Sequence, residues 1–332
     1  MTSLVQISHP DHGRRVALVA GDQLRVLDGV DSVYALALRA IEKNVGLKTL
    51  LAGASFGDSL DYDAVHQGRS DWFLLAPADH PFSPASLLVT GTGLTHRASA
   101  DNRQAMHLNT GQVTDSMRMY QWGVEGGKPD AGAVGASPEW FYKGTGESLR
   151  GHHQPLAVPD FAEDGGEEGE IAGVYLIDPE GTPRRIGMAQ GNEFSDHVFE
   201  KRNYLYLASS KLRHCSIGPE LILDPEFSAV PGTARVLRGD AVIWEKAIRS
   251  GEENMCHSLA NIEHHHFKFP GHRMPGDLHV HFYGASAFSF GDGVRLKDGD
   301  VMEVAYGNFG RPLRNPISIH AGPERVVTVV PL

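Results

Sequence analysis

Short runs of apolar residues, several of them alternating with polar residues, follow one another along most of the chain. Such runs predict β-strands, because successive side chains of a strand point to opposite faces of the sheet. Beyond residue 85, the predicted strands are 87–89, 140–143, 171–177, 221–223, 235–237, 242–245, 278–283 and 301–305. Many short strands with 38 glycines and 19 prolines are typical of a β-sandwich or a rolled barrel. We therefore expect a mostly β protein with some α-helix.

Two segments have the spacing of helices instead. Residues 33–41 carry apolar side chains at helical intervals, and Ser32 before them is a good N-cap. Further along, Ser250 and Glu253 form a capping box. This box predicts a second helix that begins after Ser250 and extends to at least Ile262.

The order of these elements suggests two domains. We expect a small N-terminal α+β domain over residues 1–85, with a hairpin at Gly21-Asp22 followed by the first helix. A larger, strand-rich domain is expected over residues 86–332. Within it, residues 98–135 are polar and rich in glycine and too long for a plain connection, which predicts a mobile flap over a site.

Composition narrows the class of protein. The 332 residues carry a formal net charge of −11 without a dense basic run, so neither a nucleic acid nor a membrane surface is an expected partner. Two cysteines cannot build a disulfide framework. The first residues lack the blocks of a signal peptide, and no apolar run approaches a membrane span. We expect a cytoplasmic protein.

Two carboxylates stand at the start of a predicted buried strand. Glu168 and Glu170, just ahead of the apolar run 171–177, should share one face about 7 Å apart. They are either a solvated strand end or ligands of a hard cation such as Mg²⁺, Mn²⁺ or Ca²⁺. The cation site needs a third carboxylate. Glu193 is the leading candidate and Asp196 the second.

Other polar groups are weaker candidates. Six of the 18 histidines fall within residues 261–282, but the three consecutive ones point in different directions, so surface or core positions are expected rather than a zinc site. Lys211 is either a surface group or, beside a bound cation, a partner for an anionic substrate.

Taken together, these motifs resemble the fumarylacetoacetate hydrolase family. Members of the family have an E-x-E motif before a strand, then a turn with a third acidic ligand, then a lysine, and then Gly-Pro. This chain has the same motifs in the same order, at residues 168–170, 192–195, Lys211 and 218–219. Segments between residues 275 and 316 match as well. The resemblance implies a mixed β-sandwich roll that forms a homodimer or a dimer of dimers. It also implies Mg²⁺, or Mn²⁺, held by Glu168, Glu170 and Glu193, and a 2-keto acid as substrate. Glu193 stands where the family ordinarily has Asp.

A second departure separates branches of the family. Its hydrolases carry a His-Glu pair after the first strand of this domain, but the corresponding positions here are Ser99 and Asn102, and His96 is out of register. The sequence thus resembles the sugar-acid dehydratase branch. That branch converts 2-keto-3-deoxypentonates, such as 2-keto-3-deoxy-arabinonate, to 2-ketoglutarate semialdehyde. The alternatives are a 2,4-diketo-acid hydrolase that cleaves a C–C bond and a non-enzymatic sugar-acid-binding protein.

The resemblance also suggests roles for individual residues. We expect Lys211, Glu139 and Lys143 to be catalytic, with Glu139 as the base for C3 and with the pKa of Lys211 lowered by burial near the bound cation. The predicted substrate contacts are Thr95, Gly218, Pro219 and Ser286.

Overall fold

The computed structural model describes residues 1–107, 114–320 and 322–332, without the side chains of residues 106 and 107. In those ranges the strands are β1 Thr2–His9, β2 Gly13–Ala20, β3 Gln23–Leu27, β4 Phe56–Asp61, β5 Phe73–Leu74, β6 Leu87–Gly93, β7 Glu139–Thr145, β8 Leu149–Arg150, β9 Leu156–Val158, β10 Gly169–Ile177, β11 Pro183–Asn192, β12 Cys215–Ile217, β13 Leu221–Leu223, β14 Val230–Arg238, β15 Ala241–Ser250, β16 Leu278–Phe282, β17 Val301–Tyr306 and β18 Leu313–Ile319. The helices are α1 Val33–Glu42, α2 Leu47–Ala52, α3 Tyr62–His66, α4 Arg97–His107, α5 Asp115–Gly126, α6 His197–Arg202, α7 Leu207–Lys211 and α8 Leu259–Phe267. None of these helices has the length and apolar content needed to cross a bilayer.

The strands form two mixed sheets. The larger has the order β4-β3-β2-β1-β13-β11-β10-β16-β6-β7, with β5, β8 and β12 paired beside this path, and the smaller has the order β15-β14-β17-β18-β9. Most neighbours are antiparallel, but β16 and β6 run parallel, as do β18 and β9. The expectation of a mostly β protein with some helix is confirmed.

Apolar side chains cover both faces of the larger sheet. Ile171 on β10 and Met188 on β11 pack with Val236 and Val304 of the smaller sheet, so the two sheets lie face to face. On the opposite face, helix α1 contributes residues such as Leu36 to a second core cluster with the central strands. The candidate site lies at one end of this second face.

The larger sheet crosses the predicted boundary at residue 85. Strand β1 pairs with β13 through Thr2–Leu223, Ser3–Ile222 and Leu4–Leu221. The first 85 residues therefore continue the hydrogen bonding of the central strands. The division into two domains stays a prediction.

Helix α1 begins where the sequence predicts, since the Ser32 side chain accepts a hydrogen bond from the Ala35 amide. The start predicted for the second helix is wrong. Ser250 ends strand β15, where it pairs with Val230, and α8 is capped instead by Ser258. Sheet pairing fixes the backbone of Ser250 in an extended conformation, so its capping pattern is not used.

The polar segment 98–135 is also more regular than expected. Helices α4 and α5 occupy much of it, and residues 108–113 lie outside the described ranges. Ala100 of α4 and Met117 of α5 pack against Leu94 in a small apolar cluster. A few apolar contacts thus fix helices whose sequences are mostly polar.

Candidate metal centre

The β10–β11 hairpin brings three glutamates together. Gly169 pairs with Asn192 and Glu170 with Gly191, and the Glu193 amide donates to the Glu168 carbonyl at 2.9 Å. Each glutamate offers a carboxylate oxygen within 4.8 Å of the others, and all three side chains are buried. Within the described ranges, this is the one group of three or more His, Cys, Asp or Glu side chains spaced to share an ion.

The two glycines before the glutamates make room for the turn that carries Glu193. A Cβ at Gly165 would lie 2.5 Å from the Phe194 ring, and a Cβ at Gly166 would lie 2.5 Å from Nδ1 of His197. Gly166 and Ser195 also exchange backbone hydrogen bonds at 2.9 and 3.0 Å. The close approach of these segments sets Glu193 opposite Glu168 and Glu170.

Two buried lysines contact the glutamates. Lys211 Nζ donates to Glu168 Oε1 at 2.8 Å and to Glu193 Oε2 at 2.5 Å, while Lys143 Nζ lies 2.7 Å from Glu193 Oε1. Burial alone lowers the pKa of Lys211, but the carboxylates of Glu168 and Glu193 outweigh it, so its pKa is raised. The lowered pKa expected for Lys211 beside a bound cation stays a prediction. The pKa of Lys143 is lowered, mainly by burial.

Glu170 is the least stable anion of the group. Burial and the neighbouring charges of Glu193 and Glu168 raise its pKa well above the ordinary value, although the Gly284 amide donates to its Oε2 at 2.7 Å. Glu168 has the opposite shift, because Lys211 and His197 outweigh the effect of burial and hold its pKa well below the ordinary value.

The charges around the glutamates fit a divalent cation. Carboxylate oxygens are the ligands that Mg²⁺ or Mn²⁺ takes. Burial and the repulsion from Glu193 and Glu168 raise the pKa of Glu170, and a divalent cation held between the three carboxylates would replace this repulsion by attraction. Burial lowers the pKa of His197 and its contact with Glu168 raises it, and the net effect is a raised pKa.

Sequence analysis missed His197. Its Nε2 lies 3.0 Å from Glu168 Oε1, and its ring stacks on Phe288 with centroids 4.9 Å apart. It begins helix α6, whose N-cap is Asp196. No local pattern marks it, since Phe288 is about 90 positions away along the chain.

Asp196, the second candidate ligand, has a structural role. Its side chain accepts from the Phe199 and Glu163 amides, both at 2.9 Å, and pairs with Arg213 at 3.2 Å. These contacts cap helix α6 and hold the preceding loop.

Strand β7 carries Glu139, which forms a second polar group beside the cluster of three glutamates. Glu139, Phe141 and Lys143 alternate along one buried face of the strand, and Lys211 Nζ lies 4.9 Å from the centre of the Phe141 ring. Glu139 Oε1 accepts from the Tyr204 hydroxyl and faces Arg103 Nη1 at 3.5 Å. Arg103 and Tyr204 were not identified from the sequence, because both reach Glu139 from distant helical segments.

The strand register sets the distance between Glu139 and the cluster of three glutamates. Phe141, Gly91, Phe282 and Ala172 form one row across β7, β6, β16 and β10. Glu139 and Glu170 each lie two residues beyond this row, in the same direction and on the same face. Three strand spacings separate their backbones by about 14 Å. Their side chains therefore project from the same face of the sheet, three strands apart.

The predicted substrate contacts lie at different distances from the three glutamates. Thr95 Oγ1 donates to the Tyr283 carbonyl at 2.7 Å and lies beside Gly284, next to Glu170. Ser286 follows on the same loop, where its Oγ accepts from the Arg249 amide. Gly218 and Pro219 lie towards the N-terminal strands: the Gly218 amide donates to the Gln190 carbonyl, and a Cβ at Gly218 would contact Pro77. Contact of these residues with a substrate stays a prediction.

The histidines in residues 261–282 occupy core positions or the surface. His266 Nε2 lies 2.9 Å from His279 Nδ1, and both nitrogens of His281 lie 2.7 Å from threonine hydroxyls. Ser99 and Asn102, at the positions of the hydrolase His-Glu pair, lie on helix α4 directly after β6.

Comparison with known proteins supports the architecture. No protein-family model matches the sequence, and the search of curated proteins gives no match either. Among solved structures, a 2-keto-3-deoxy-D-arabinonate dehydratase in its apo form is 20% identical with a TM-score of 0.70, over 96% of this chain and 100% of that one. The same enzyme complexed with magnesium and 2,5-dioxopentanoate is 19% identical, with the same TM-score and coverage.

A 2-hydroxyhepta-2,4-diene-1,7-dioate isomerase from Mycobacterium marinum is 17% identical with a TM-score of 0.59, over 97% of this chain and all of that one. The chain has the fold of the fumarylacetoacetate hydrolase family. The resemblance seen in the sequence is thereby confirmed for the fold, and the three glutamates lie together within that fold as the resemblance implies.

Proposed function

We propose that this protein is a metal-dependent dehydratase that converts a 2-keto-3-deoxypentonate to 2-ketoglutarate semialdehyde. The observation that carries the proposal is the buried cluster of Glu168, Glu170 and Glu193 with Lys211 among them. The dehydratase with a TM-score of 0.70 is complexed with magnesium and 2,5-dioxopentanoate, which is another name for 2-ketoglutarate semialdehyde. This complex supports the choice of substrate.

The glutamates would hold Mg²⁺ or Mn²⁺, which would bind the 2-keto acid and stabilise negative charge on its keto oxygen. Lys211 supplies a fixed cation beside the same glutamates, suited to the substrate carboxylate. Both groups bind the keto-acid end of the substrate, so the remaining carbons extend along the face of the sheet towards Glu139.

Proton removal from C3 is assigned to Glu139. Its carboxylate lies on the same face and at the same level as Glu170, and its Oε2 has no hydrogen-bond partner in the described part of the chain. The C3 proton passes to Oε2, and the C–H electron pair moves to C2–C3 with charge on the keto oxygen. Return of this charge forms the C3–C4 double bond and expels the C4 hydroxyl, which leaves as water after it takes up a proton. Loss of a C5 proton and protonation of C3 then give the C4=C5 enol, and transfer of the enol O–H proton to C4 gives the aldehyde, so one water is lost overall.

The absence of the hydrolase His-Glu pair favours dehydration over C–C hydrolysis. Ser99 and Asn102 cannot activate a water as that pair does, whereas the dehydration needs no nucleophilic water.

The test is a product assay. Purified protein with Mg²⁺ is incubated with 2-keto-3-deoxy-arabinonate, its stereoisomers and acylpyruvates, and products are identified by mass spectrometry. Formation of 2,5-dioxopentanoate that EDTA abolishes is the expected result. Release of pyruvate from an acylpyruvate would instead indicate the hydrolase, and metal-dependent binding without turnover would indicate a binding protein.

A further inference from the structure

Arg103 lies between two buried carboxylates. Its Nε is 2.6 Å from Glu200 Oε1, and its Nη1 is 3.5 Å from Glu139 Oε1. All three side chains are at most 7% exposed. A planar guanidinium that faces two carboxylates is fixed by both. Glu200, on α6, therefore sets the position of Arg103, on α4, relative to Glu139 on β7.

The two oxygens of Glu139 have different surroundings. Oε1 faces Arg103 and also accepts from the Tyr204 hydroxyl, whereas no donor among the described residues reaches the buried Oε2. Oε2 rests against Gly93, where a Cβ would be only 1.7 Å away. One oxygen is thus held by two donors, whereas the lone pairs of the other receive no hydrogen bond within the described residues.

Glu200 is connected to Glu139 through Arg103. Its Oε1 binds Arg103, and it belongs to helix α6, which His197 and Asp196 fix against the metal centre and the preceding loop. The same helical layer carries Tyr204 in the turn that follows α6. Both restraints on Glu139 Oε1 therefore come from elements packed over the site.

We infer that Arg103 is a positioning residue, which holds Glu139 so that Oε2 receives the proton from C3 of a bound 2-keto acid. In this step the C–H bond breaks, its proton passes to Oε2, and its electron pair moves to C2–C3 with charge on the keto oxygen. The inference rests on the proposed function for the keto-acid substrate, but it concerns proton transfer and not loss of the hydroxyl.

Pyruvate separates these two events, since it has C3 protons but no leaving group. Exchange of its methyl protons for deuterium is followed by proton NMR in D₂O with saturating Mg²⁺, for the wild-type protein and for R103K, R103M, E139Q and R103M/E139Q. We expect R103M and E139Q each to slow exchange by about 100-fold, the size of a general-base contribution. The double variant should be no slower than E139Q within about twofold, because Arg103 acts through Glu139.

R103K keeps the charge, and therefore the fold, but a lysine cannot present a fork to both carboxylates. It should exchange more slowly than the wild type and faster than R103M. R97M is the matched control, since Arg97 lies on the same helix, is exposed and pairs with Asp101 at 2.9 Å. Calorimetry should give the same Mg²⁺ affinity for all variants within about twofold, because none of the three metal ligands is altered.

Three results would overturn the inference: wild-type exchange rates in R103K and R103M, losses that multiply in the double variant, or no exchange by a wild-type protein that binds Mg²⁺. Failure of the proposed function is distinct. A wild-type protein that exchanges pyruvate protons but dehydrates no 2-keto-3-deoxy sugar acid would refute the dehydratase, while Arg103-dependent exchange would still support the positioning role.

Discussion

Lys211 Nζ lies 2.8 Å from Glu168 Oε1 and 2.5 Å from Glu193 Oε2, so one ammonium bridges carboxylates from the two arms of the β10–β11 hairpin. It also contacts the Ser195 hydroxyl at 2.9 Å. A lysine in this position is held entirely by groups of the candidate metal centre. Its removal therefore separates metal binding from catalysis.

Lys211→Met should keep the metal and lose turnover. The three carboxylates remain, and the cation that competes for their oxygens is gone, so Mg²⁺ affinity should be equal or higher by calorimetry. We expect kcat for the sugar acid to fall by at least about 100-fold. Lys201→Met, an exposed change on α6, is the control. Near-normal turnover of the Lys211 variant would exclude this residue from the mechanism.

Glu170→Gln should abolish tight metal binding without loss of the fold. The variant replaces an anionic ligand by a neutral amide of the same shape. We expect Mg²⁺ affinity to fall by more than about 100-fold, since even loss of an outer-shell partner weakens binding by about 10- to 100-fold.

Glu263→Gln is the matched control, because Glu263 binds Tyr175 and Arg185 away from the cluster. Unchanged Mg²⁺ affinity of the Glu170 variant in a calorimetric titration would show that the ion binds elsewhere.

Gly93→Ala should displace the proposed base. Its Cβ would lie 1.7 Å from Glu139 Oε2, so the carboxylate must move, and a misplacement of about 1 Å can cost about 100-fold in rate. Gly126→Ala on α5 is the control, since its Cβ would meet its nearest neighbour, Ala136 Cβ, at 3.5 Å. Equal turnover by the two variants would contradict the placement of Glu139.

The buried histidines predict loss of stability in mild acid. Burial, followed by nearby histidines, lowers the pKa of His279 and of His281 to about 3. In the unfolded chain a histidine has an ordinary pKa near 6.5. Between pH 3 and pH 6.5 the unfolded chain therefore binds more protons than the folded protein. The free energy of unfolding has its full value above pH 6.5 and falls as the pH drops towards 3.

Each such histidine contributes about 1.4 kcal/mol per pH unit in that window. Urea unfolding at pH 7, 6 and 5 measures how the free energy of unfolding changes with pH. His281→Gln should reduce this slope by the contribution of one histidine. A slope identical to that of the wild type would show that His281 takes up its proton in the folded state.

The metal cluster could be predicted from the sequence because its determinants are local. Glu168 and Glu170 share a face by the period of a strand, and Glu193 follows the next strand directly, so hairpin pairing alone unites them. The strands predicted beyond residue 85 overlap observed strands for the same reason, whereas β1, β12 and β18 were not predicted.

The remaining parts of the site depend on distant segments. Arg103 and Tyr204 reach Glu139 from α4 and from the turn after α6, and the pKa of Lys211 depends on which carboxylates surround it. The residues at Ser250 have the pattern of a capping box, but strand pairing of Ser250 with Val230 excludes a helix there. Local rules therefore identify the ligands, whereas tertiary packing decides how they are held.

The pairing of β1 with β13 limits how this chain can be shortened. Removal of the first 85 residues would uncover the backbone groups of β13, and it would strip α1 from an apolar face that includes Leu221. Such a fragment would present a bare sheet edge beside a hydrophobic surface, the combination that promotes aggregation. Expression trials of a minimal catalytic fragment should therefore retain the N-terminus.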